Sequence, residues 1–493
     1  MSGAAPAAPP AAIGTPEPRR IADLPGPRGL PLLGNAAQIR PHRAHIDFEN
    51  WARRYGTFYR ARLGPHTLLV VSDPAAIQAM LRDRPEGFRR PSPVERIARE
   101  MGTDIGLFLA EGAEWRRMRT MVAAGLSARQ LRAYFPSLRR VAFRLRDRWA
   151  RAAAAGAAID LNADAKRYTV DVVAGLSFGA DVNTLETDDD PIHPHLEFAM
   201  AMLYRRVILP FPYWRLFRLP ADRRLARSLA VITKATNGFI QAARARLAAD
   251  LARRAAPANV LEAMILAADQ PGSGLDDTAV AGNVIDLLLA GEITTSNTLA
   301  WLIYFLYRNP DSLRRATAEI HAAVPALGTL AIEQIDRLDF VEACANEAMR
   351  LKAVAPMLLG EALRDTVLGD VAVPAGTIVM GLPRVASLDE AHCADAARFN
   401  PDRWRFGAAP DRAAKGVSAP FGGGPRICAG RYLALLEIKL AITVLLHGFE
   451  IESLDAGPGG IPSEEMTSVV GPSALTLRLR APRWKREEEE PPF

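Results

Sequence analysis

The feature that most constrains this chain is a glycine-rich segment that ends at a lone cysteine, residues 421–430. It reads Phe-Gly-Gly-Gly-Pro-Arg-Ile-Cys-Ala-Gly, and a helical pattern follows it directly. Consecutive glycines allow positive φ values and a backbone that lies flat against a planar group. Cys428 precedes the helix, where free amide hydrogens and the helix dipole lower the pKa of a thiol. The segment therefore predicts a thiolate presented beside a flat surface.

The neighbouring side chains extend this interpretation. Arg426 is a permanent cation suited to a carboxylate, and Phe421 supplies an apolar wall near the sulfur. Ala429 and Gly430 leave room for backbone amides to point at it. A thiolate, a flat approach surface and a carboxylate partner together suit haem with a cysteine axial ligand. The alternative is a glycine-rich loop followed by a small, inert, buried cysteine.

The segment resembles the haem-binding signature of the cytochrome P-450 family: Phe, two variable residues, Gly, one variable, Arg, one variable, Cys, one variable, Gly. The residues at its fixed positions all match: Phe421, Gly424, Arg426, Cys428 and Gly430. The resemblance extends over roughly 24–480. It implies a haem b whose iron is bound by Cys428, with O2 as co-substrate, in a mostly α fold with small antiparallel sheets.

Hydrophobic periodicity agrees with a mostly helical chain that has a minor β part. It predicts successive helices over about 113–268, a long helix over about 276–307 and short strands over 358–379. We predict one haem-binding domain over 24–482, without internal repeats. An Ala/Pro-rich disordered tail is expected at 1–23 and a charged tail at 483–493.

Composition excludes several classes of protein. Three cysteines are too few, and odd in number, for a disulfide framework, which indicates a reducing compartment. The N-terminus lacks the order of charges and apolar residues that a signal peptide needs, and the most apolar stretch, 280–307, carries Asp286 and Glu292. Unclustered aromatic residues give no indication of nucleic-acid binding. We expect a cytoplasmic monomer without a transmembrane anchor.

Further landmarks of the family occur in the right order. The family has a buried Glu-x-x-Arg pair joined by a later arginine, and Glu347, Arg350 and Arg403 match this structural triad. Trp115 and Arg119 resemble residues of an early helix that contact the haem carboxylates. The alternative for these two is an amphipathic helix with surface arginines.

Part of the long helix resembles the family's oxygen-binding stretch. The matching residues are small or carry a hydroxyl: Ala290, Gly291, Thr294 and Thr295. Ile293 stands where the family has an acid, and the nearest carboxylate, Glu292, is rotated from that position by about 100° around the helix. The resemblance implies that Thr294, Thr295 and Glu292 are catalytic. The proton route stays open between Thr294 with ordered water and a separate path through Glu292.

A second departure is Gly360, which falls where many members carry an arginine that contacts a haem carboxylate. Arg119 and Arg426 are then expected to provide most of that pairing.

The resemblance implies monooxygenation, in which one atom of O2 enters an apolar small molecule, such as a product of secondary metabolism, by hydroxylation or epoxidation. The residues implied to line the substrate pocket are Ile105, Phe108, Leu289, Ala290, Ala355, Met357 and Leu358. The chain has no dinucleotide-binding fingerprint. Electrons from NAD(P)H are therefore expected through a ferredoxin or flavodoxin with its reductase, docked on the basic face near Cys428.

Two other functions stay open. One is a haem-thiolate isomerase or peroxygenase that needs no external electrons. The departure at Ile293 leaves this function open, whereas the matching Thr294 and Thr295 disfavour it. The other is a non-catalytic recruitment protein of the same fold, which an intact cysteine segment disfavours.

Overall fold

The computed structural model describes residues 17–187, 192–209, 211–405 and 416–481. The tail predicted at 483–493 and most of the tail predicted at 1–23 lie outside these ranges. No helix within them is both long enough and apolar enough to cross a membrane.

Helices make up most of the described chain, in agreement with the predicted fold class. They are α1 (Ala44–Tyr55), α2 (Pro74–Arg82), α3 (Ser92–Met101), α4 (Gly112–Gly125), α5 (Ala128–Ala154), α6 (Leu161–Phe178), α7 (His193–Ile208), α8 (Pro220–Ala249), α9 (Leu251–Ala255), α10 (Val260–Ala268), α11 (Asp277–Arg308), α12 (Pro310–Ala323), α13 (Ile332–Asp336), α14 (Asp339–Leu351), α15 (Pro383–Ser387) and α16 (Arg431–Gly448). The long helix α11 begins as predicted, because the Asp276 side chain accepts a hydrogen bond from the amide of Ala279 at 3.0 Å.

Short strands form small sheets at the edges of this helical body. They are β1 (Arg19–Arg20), β2 (Phe58–Leu63), β3 (His66–Val71), β4 (Phe88–Arg89), β5 (Ile159–Asp160), β6 (Leu358–Ala362), β7 (Thr366–Leu368), β8 (Val371–Val373), β9 (Ile378–Gly381), β10 (Glu450–Asp455), β11 (Glu464–Met466), β12 (Val470–Pro472) and β13 (Thr476–Arg480). The largest described sheet has the order β2-β3-β9-β6-β4.

The prediction of purely antiparallel sheets is wrong for two pairings. Strand β3 pairs with β9 in parallel, and β1 pairs with β8 in parallel. In both cases a long stretch of chain separates the partners. A tight hairpin forces two strands to pair antiparallel. No such turn joins these partners, so they can pair in parallel.

The ordered structure also begins earlier than the predicted boundary at Leu24. Arg19 and Arg20 pair with Val371 and Ala372, and the Arg19 guanidinium donates two hydrogen bonds to Asp370, both at 2.7 Å. The partner lies 351 residues away along the chain, so local composition carries no signal of it.

Helix α11 is the central helix of the core. Most of the stretch 298–306 is buried, with Leu299, Leu302 and Trp301 almost completely shielded from solvent. Near the middle of the helix a Cβ on Gly291 would lie 2.8 Å from the Val173 side chain of α6, so this glycine permits a close approach of two helices.

Candidate functional site

Cys428 differs from the other two cysteines in its exposure. Cys344 and Cys393 are buried, with 0% and 1% of their surface accessible, whereas Cys428 is exposed. Its amide donates to the Phe421 carbonyl at 3.0 Å, which closes the loop before α16. The Gly430 amide donates to its sulfur. The alternative of a buried cysteine therefore does not hold for Cys428.

The predicted lowering of the thiol pKa is wrong in its net direction. The sulfur is accessible, yet protein atoms surround it closely enough that desolvation raises the pKa of Cys428 above its ordinary value. The Gly430 amide, Arg119 and Arg431 all lower this pKa, as a helix N-terminus and neighbouring cations should, but by less. A metal ion that binds a thiol deprotonates it outright, so ionisation of Cys428 belongs to the ligated state.

The glycines of the loop have separate structural reasons. Gly422 and Gly424 adopt positive φ values of 72° and 65°, as predicted, whereas Gly423 is extended. A Cβ on Gly424 would overlap the carbonyl oxygen of Leu81 at the end of α2. The loop therefore packs directly against the α2 backbone, and this contact fixes the loop that carries Cys428.

We expect Gly424→Ala to lower the free energy of unfolding by about 2 kcal/mol or more, since alanine adds both a positive-φ penalty and a backbone overlap. Urea unfolding followed by circular dichroism measures the change. Gly423→Ala is the matched control, because its Cβ would meet only side-chain atoms at 3.4 Å. Equal stability of the two variants would contradict this account of the loop.

Arg426 and Trp115 come together beside the loop. The Arg426 guanidinium carbon lies 4.9 Å from the centroid of the Trp115 ring, and the same side chain forms a 2.8 Å ion pair with Glu111 and donates to the Ala110 carbonyl. Trp115 is buried in α4, and its predicted contact with a haem carboxylate stays a prediction. Arg119, one turn further along α4, lies near Cys428 and has no ion-pair partner among the described residues. Glu111 was not anticipated from the sequence.

Glu347, Arg350 and Arg403 form the expected buried triad. The Arg350 guanidinium donates two hydrogen bonds to the Glu347 carboxylate, both at 2.8 Å, and Arg403 Nε lies 3.4 Å from it. Trp404 and the Asn400 amide also donate to Glu347. The triad ties α14 to the segment 395–404. Its predicted role in holding the cysteine loop stays a prediction.

The predicted oxygen-binding residues of α11 divide between two faces. Ala290 is exposed and Thr294 is half-buried, and the Thr294 hydroxyl donates to the Ala290 carbonyl at 2.6 Å. Thr295 is 4% exposed, so it does not share the open face of Thr294. A hydroxyl that bonds the carbonyl one turn back loosens the helix locally.

Glu292 lies on a buried side of α11 and pairs with α7. Its carboxylate is 2.6 Å from His193 Nδ1, and His193 Nε2 is 2.7 Å from Glu197. Although desolvation opposes it, hydrogen bonds to Glu197 and Glu292 raise the pKa of His193 to about 9. The geometry thus gives Glu292 a charged partner on α7 and does not support its predicted catalytic role beside Thr294.

The predicted pocket is assembled in part. The loop 105–108 is attached to α11, because Asn283 accepts from the Leu107 amide and Asp286 accepts from the Phe108 amide at 2.7 Å. Several of the predicted lining residues keep accessible surface: Phe108, Leu289, Ala290, Ala355 and Leu358. Met357 is likewise half-buried, whereas Ile105 is buried in a core cluster.

Asp286, which holds the Phe108 amide, is an acidic residue on this part of α11 that the prediction of an apolar pocket did not include. Burial raises the pKa of its carboxyl to about 6. It lies four residues before Ala290 and eight before Thr294, which places all three on one helix face. That spacing was a usable signal in the sequence.

Comparisons with known proteins agree with this geometry. The family model "Cytochrome P450" matches residues 24–477. Cytochrome P450 3A6 of Oryctolagus cuniculus is 26% identical over 444 residues, with 87% of this chain and 86% of the relative covered. The mitochondrial 25-hydroxyvitamin D-1 alpha hydroxylase of Mus musculus is 27% identical over 484 residues, with 92% and 90% covered.

A similar solved structure is the haem domain of cytochrome P450DA. It is 25% identical, has a TM-score of 0.81, and the alignment covers 94% of this chain and 99% of that one. With the family model matched over most of its length, the chain belongs to the cytochrome P450 family of haem-thiolate monooxygenases.

Proposed function

We propose that Cys428 is the thiolate ligand of a haem, and that the protein inserts one oxygen atom of O2 into an apolar small molecule. The observation that carries this proposal is the exposed sulfur of Cys428, held by a glycine loop directly before α16.

The residues around the sulfur fit a haem. Besides the accessible thiol, cationic groups lie nearby with hydrogen-bonding capacity left over: Arg119 has no ion-pair partner in the described chain, and the buried Nε of Arg426 makes no hydrogen bond there. A buried unsatisfied donor is costly, so these groups suit the carboxylates of the cofactor.

When bound, haem with a thiolate ligand activates O2, because the sulfur pushes electron density toward the iron and favours O–O cleavage. The chain's own residues arrange the surroundings. Phe421 and the buried Trp115 limit water near Cys428. Ala290 keeps its face of α11 uncrowded, and the Phe108 amide attaches the 105–108 loop to Asp286 one turn earlier.

Thr294 is the residue proposed to move protons. Its hydroxyl donates a hydrogen bond to the Ala290 carbonyl. The hydroxyl can also rotate to bind an ordered water molecule on the open face of α11. Glu292 is buried and charge-paired with His193, so we place the proton route through Thr294 and water.

We expect Thr294→Ala to lower the product formed per NADPH oxidised by about tenfold or more, because positioned proton transfer contributes about 10²–10⁴-fold. Thr298→Ala is the control, since that hydroxyl bonds the Thr294 carbonyl and lies one turn further along. Comparable coupling in the two variants would rule out Thr294 as the proton-delivering residue.

Electrons are proposed to come from NAD(P)H through a ferredoxin or flavodoxin with its reductase. The exposed arginines Arg116, Arg117 and Arg431 give the protein a basic surface on α4 and at the start of α16, suited to an acidic electron donor. The protein is proposed to act as a monomer.

Turnover of a screened substrate under 18O2 tests the proposal. With surrogate ferredoxin, reductase and NADPH, the product should carry one labelled oxygen atom. Unlabelled, rearranged product formed without NADPH would indicate an isomerase, and turnover with peroxide alone a peroxygenase. Either result would contradict the proposed monooxygenation.

A further inference from the structure

Three arginine side chains gather at one end of the site. Arg84 follows α2, Arg90 follows β4, and Arg426 precedes Cys428. Arg84 is 6% exposed, and the Arg426 side chain is 3% exposed. The Nε atoms of all three are buried and make no hydrogen bond within the described parts of the chain.

The arginine cluster (Arg84, Arg90 and Arg426) carries more positive charge than the nearby carboxylates can neutralise. Burial, together with the neighbouring arginines, lowers the pKa of Arg84 to about 10 and that of Arg90 to about 9. The carboxylates that face the cluster are Glu111, which is paired with Arg426, and Asp286, which lies near Arg90. Both of these carboxyls have raised pKa values because they are buried.

Arg90 makes no hydrogen bond or ion pair through its guanidinium in the described chain, and its CZ atom lies 3.6 Å from the centroid of the Phe108 ring. Buried cations persist where an anion compensates them. The cluster therefore has a deficit of carboxylate that an anionic ligand would fill.

Arg84 also occupies the space next to Gly360. A Cβ on Gly360 would lie 3.1 Å from Nη2 of Arg84 and 3.1 Å from the sulfur of Met80. The same Nη2 donates to the carbonyl of Leu359, the neighbouring residue in β6. Gly360 is thus packed against the guanidinium of Arg84, at the position where the family resemblance leads us to expect an arginine.

We propose that Arg84, together with Arg90, binds a haem carboxylate and replaces the arginine that is missing at position 360. This inference rests on the proposed function, because it takes the bound group to be haem. Arg84 acts as a positioning residue for the cofactor, supplied from the end of α2 where other members supply an arginine from strand β6.

Haem retention tests the inference independently of catalysis. We compare the rate of haem transfer from the ferric protein to apomyoglobin for Arg84→Ala and for Arg82→Ala, an exposed arginine at the end of α2. Arg84→Ala should release haem about tenfold faster, since a charge-assisted hydrogen bond is lost, and Arg82→Ala should match the parent. Equal release from the two variants would overturn the inference.

The double variant Arg84→Ala/Gly360→Arg distinguishes the loss of an arginine–carboxylate pair from a general destabilisation of the haem site. Gly360 does not have a positive φ, and once the Arg84 guanidinium is gone a side chain there needs only a small shift of the flexible Met80 side chain. Haem release should return toward the parent rate in the double variant. If it stays as fast as in Arg84→Ala, the proposed replacement of one arginine by the other is wrong.

Arg90 requires a separate experiment, because the carboxylate that it binds could also belong to a substrate. Faster haem release from Arg90→Gln supports the haem carboxylate as its partner. Parent-like release with weakened spin-shift binding of a fatty acid would assign Arg90 to the substrate and overturn its part of the inference. Absence of any bound haem in the parent would instead contradict the proposed function.

Discussion

Replacement of Glu347 by glutamine is expected to lower the free energy of unfolding by about 3–5 kcal/mol, the range for breaking a buried ion pair. The carboxylate is fully buried and accepts hydrogen bonds from Arg350, Trp404 and the Asn400 amide. An amide of the same size removes the negative charge and leaves Arg350 and Arg403 buried without it. Urea unfolding, followed by circular dichroism and by haem absorbance, measures the loss.

The matched control is Asp311→Asn. Asp311 forms an ion pair with Arg314 at 2.6 Å. The two residues are three positions apart, as Glu347 and Arg350 are, but their side chains are 86% and 73% exposed. An exposed pair contributes at most about 1 kcal/mol, so this variant should unfold close to the parent. If Glu347→Gln were as stable as Asp311→Asn, the triad could not be what ties α14 to the segment before the cysteine loop.

Replacement of Cys428 by serine is expected to lower monooxygenase turnover by more than about a hundredfold. Outer partners of a metal ligand already contribute about 10–100-fold, and Cys428 is proposed to be the ligand itself. Product formation with saturating surrogate redox partners measures the effect.

Cys344→Ala is the control for this variant. Cys344 is fully buried in α14, and burial raises the pKa of its thiol far above the ordinary value, so it behaves as a small apolar residue. Turnover should stay within about twofold of the parent. Loss of turnover in both variants alike would mean that Cys428 has no special role.

Local signals explain what could be predicted of the fold. The bounds of α11 follow from its Asp276 cap and its long apolar pattern, and the β2–β3 hairpin follows from Gly64 between two strand-like runs. Pairings between distant segments could not be predicted. The parallel contacts of β3 with β9 and of Arg19 with Val371 join residues that no local pattern connects.

The candidate site likewise has parts that the sequence predicts and parts that it does not. The cysteine loop and the buried triad were predicted because their residues stand at fixed short spacings. Arg84 and Glu111 come from separate segments and meet Arg426 only in the folded chain, so no motif indicated them. The net pKa of Cys428 was missed for another reason. Helix position and neighbouring charge are readable from sequence, but the desolvation that outweighs them depends on tertiary packing.

The ferrous–carbonyl spectrum of the purified protein tests the central claim most directly, because its Soret band reports the ligand opposite carbon monoxide. We predict a band near the wavelength from which the family takes its name in the parent and in Cys344→Ala, and its loss in Cys428→Ser. A parent spectrum without that band, or an unchanged band in Cys428→Ser, would contradict sulfur ligation by Cys428.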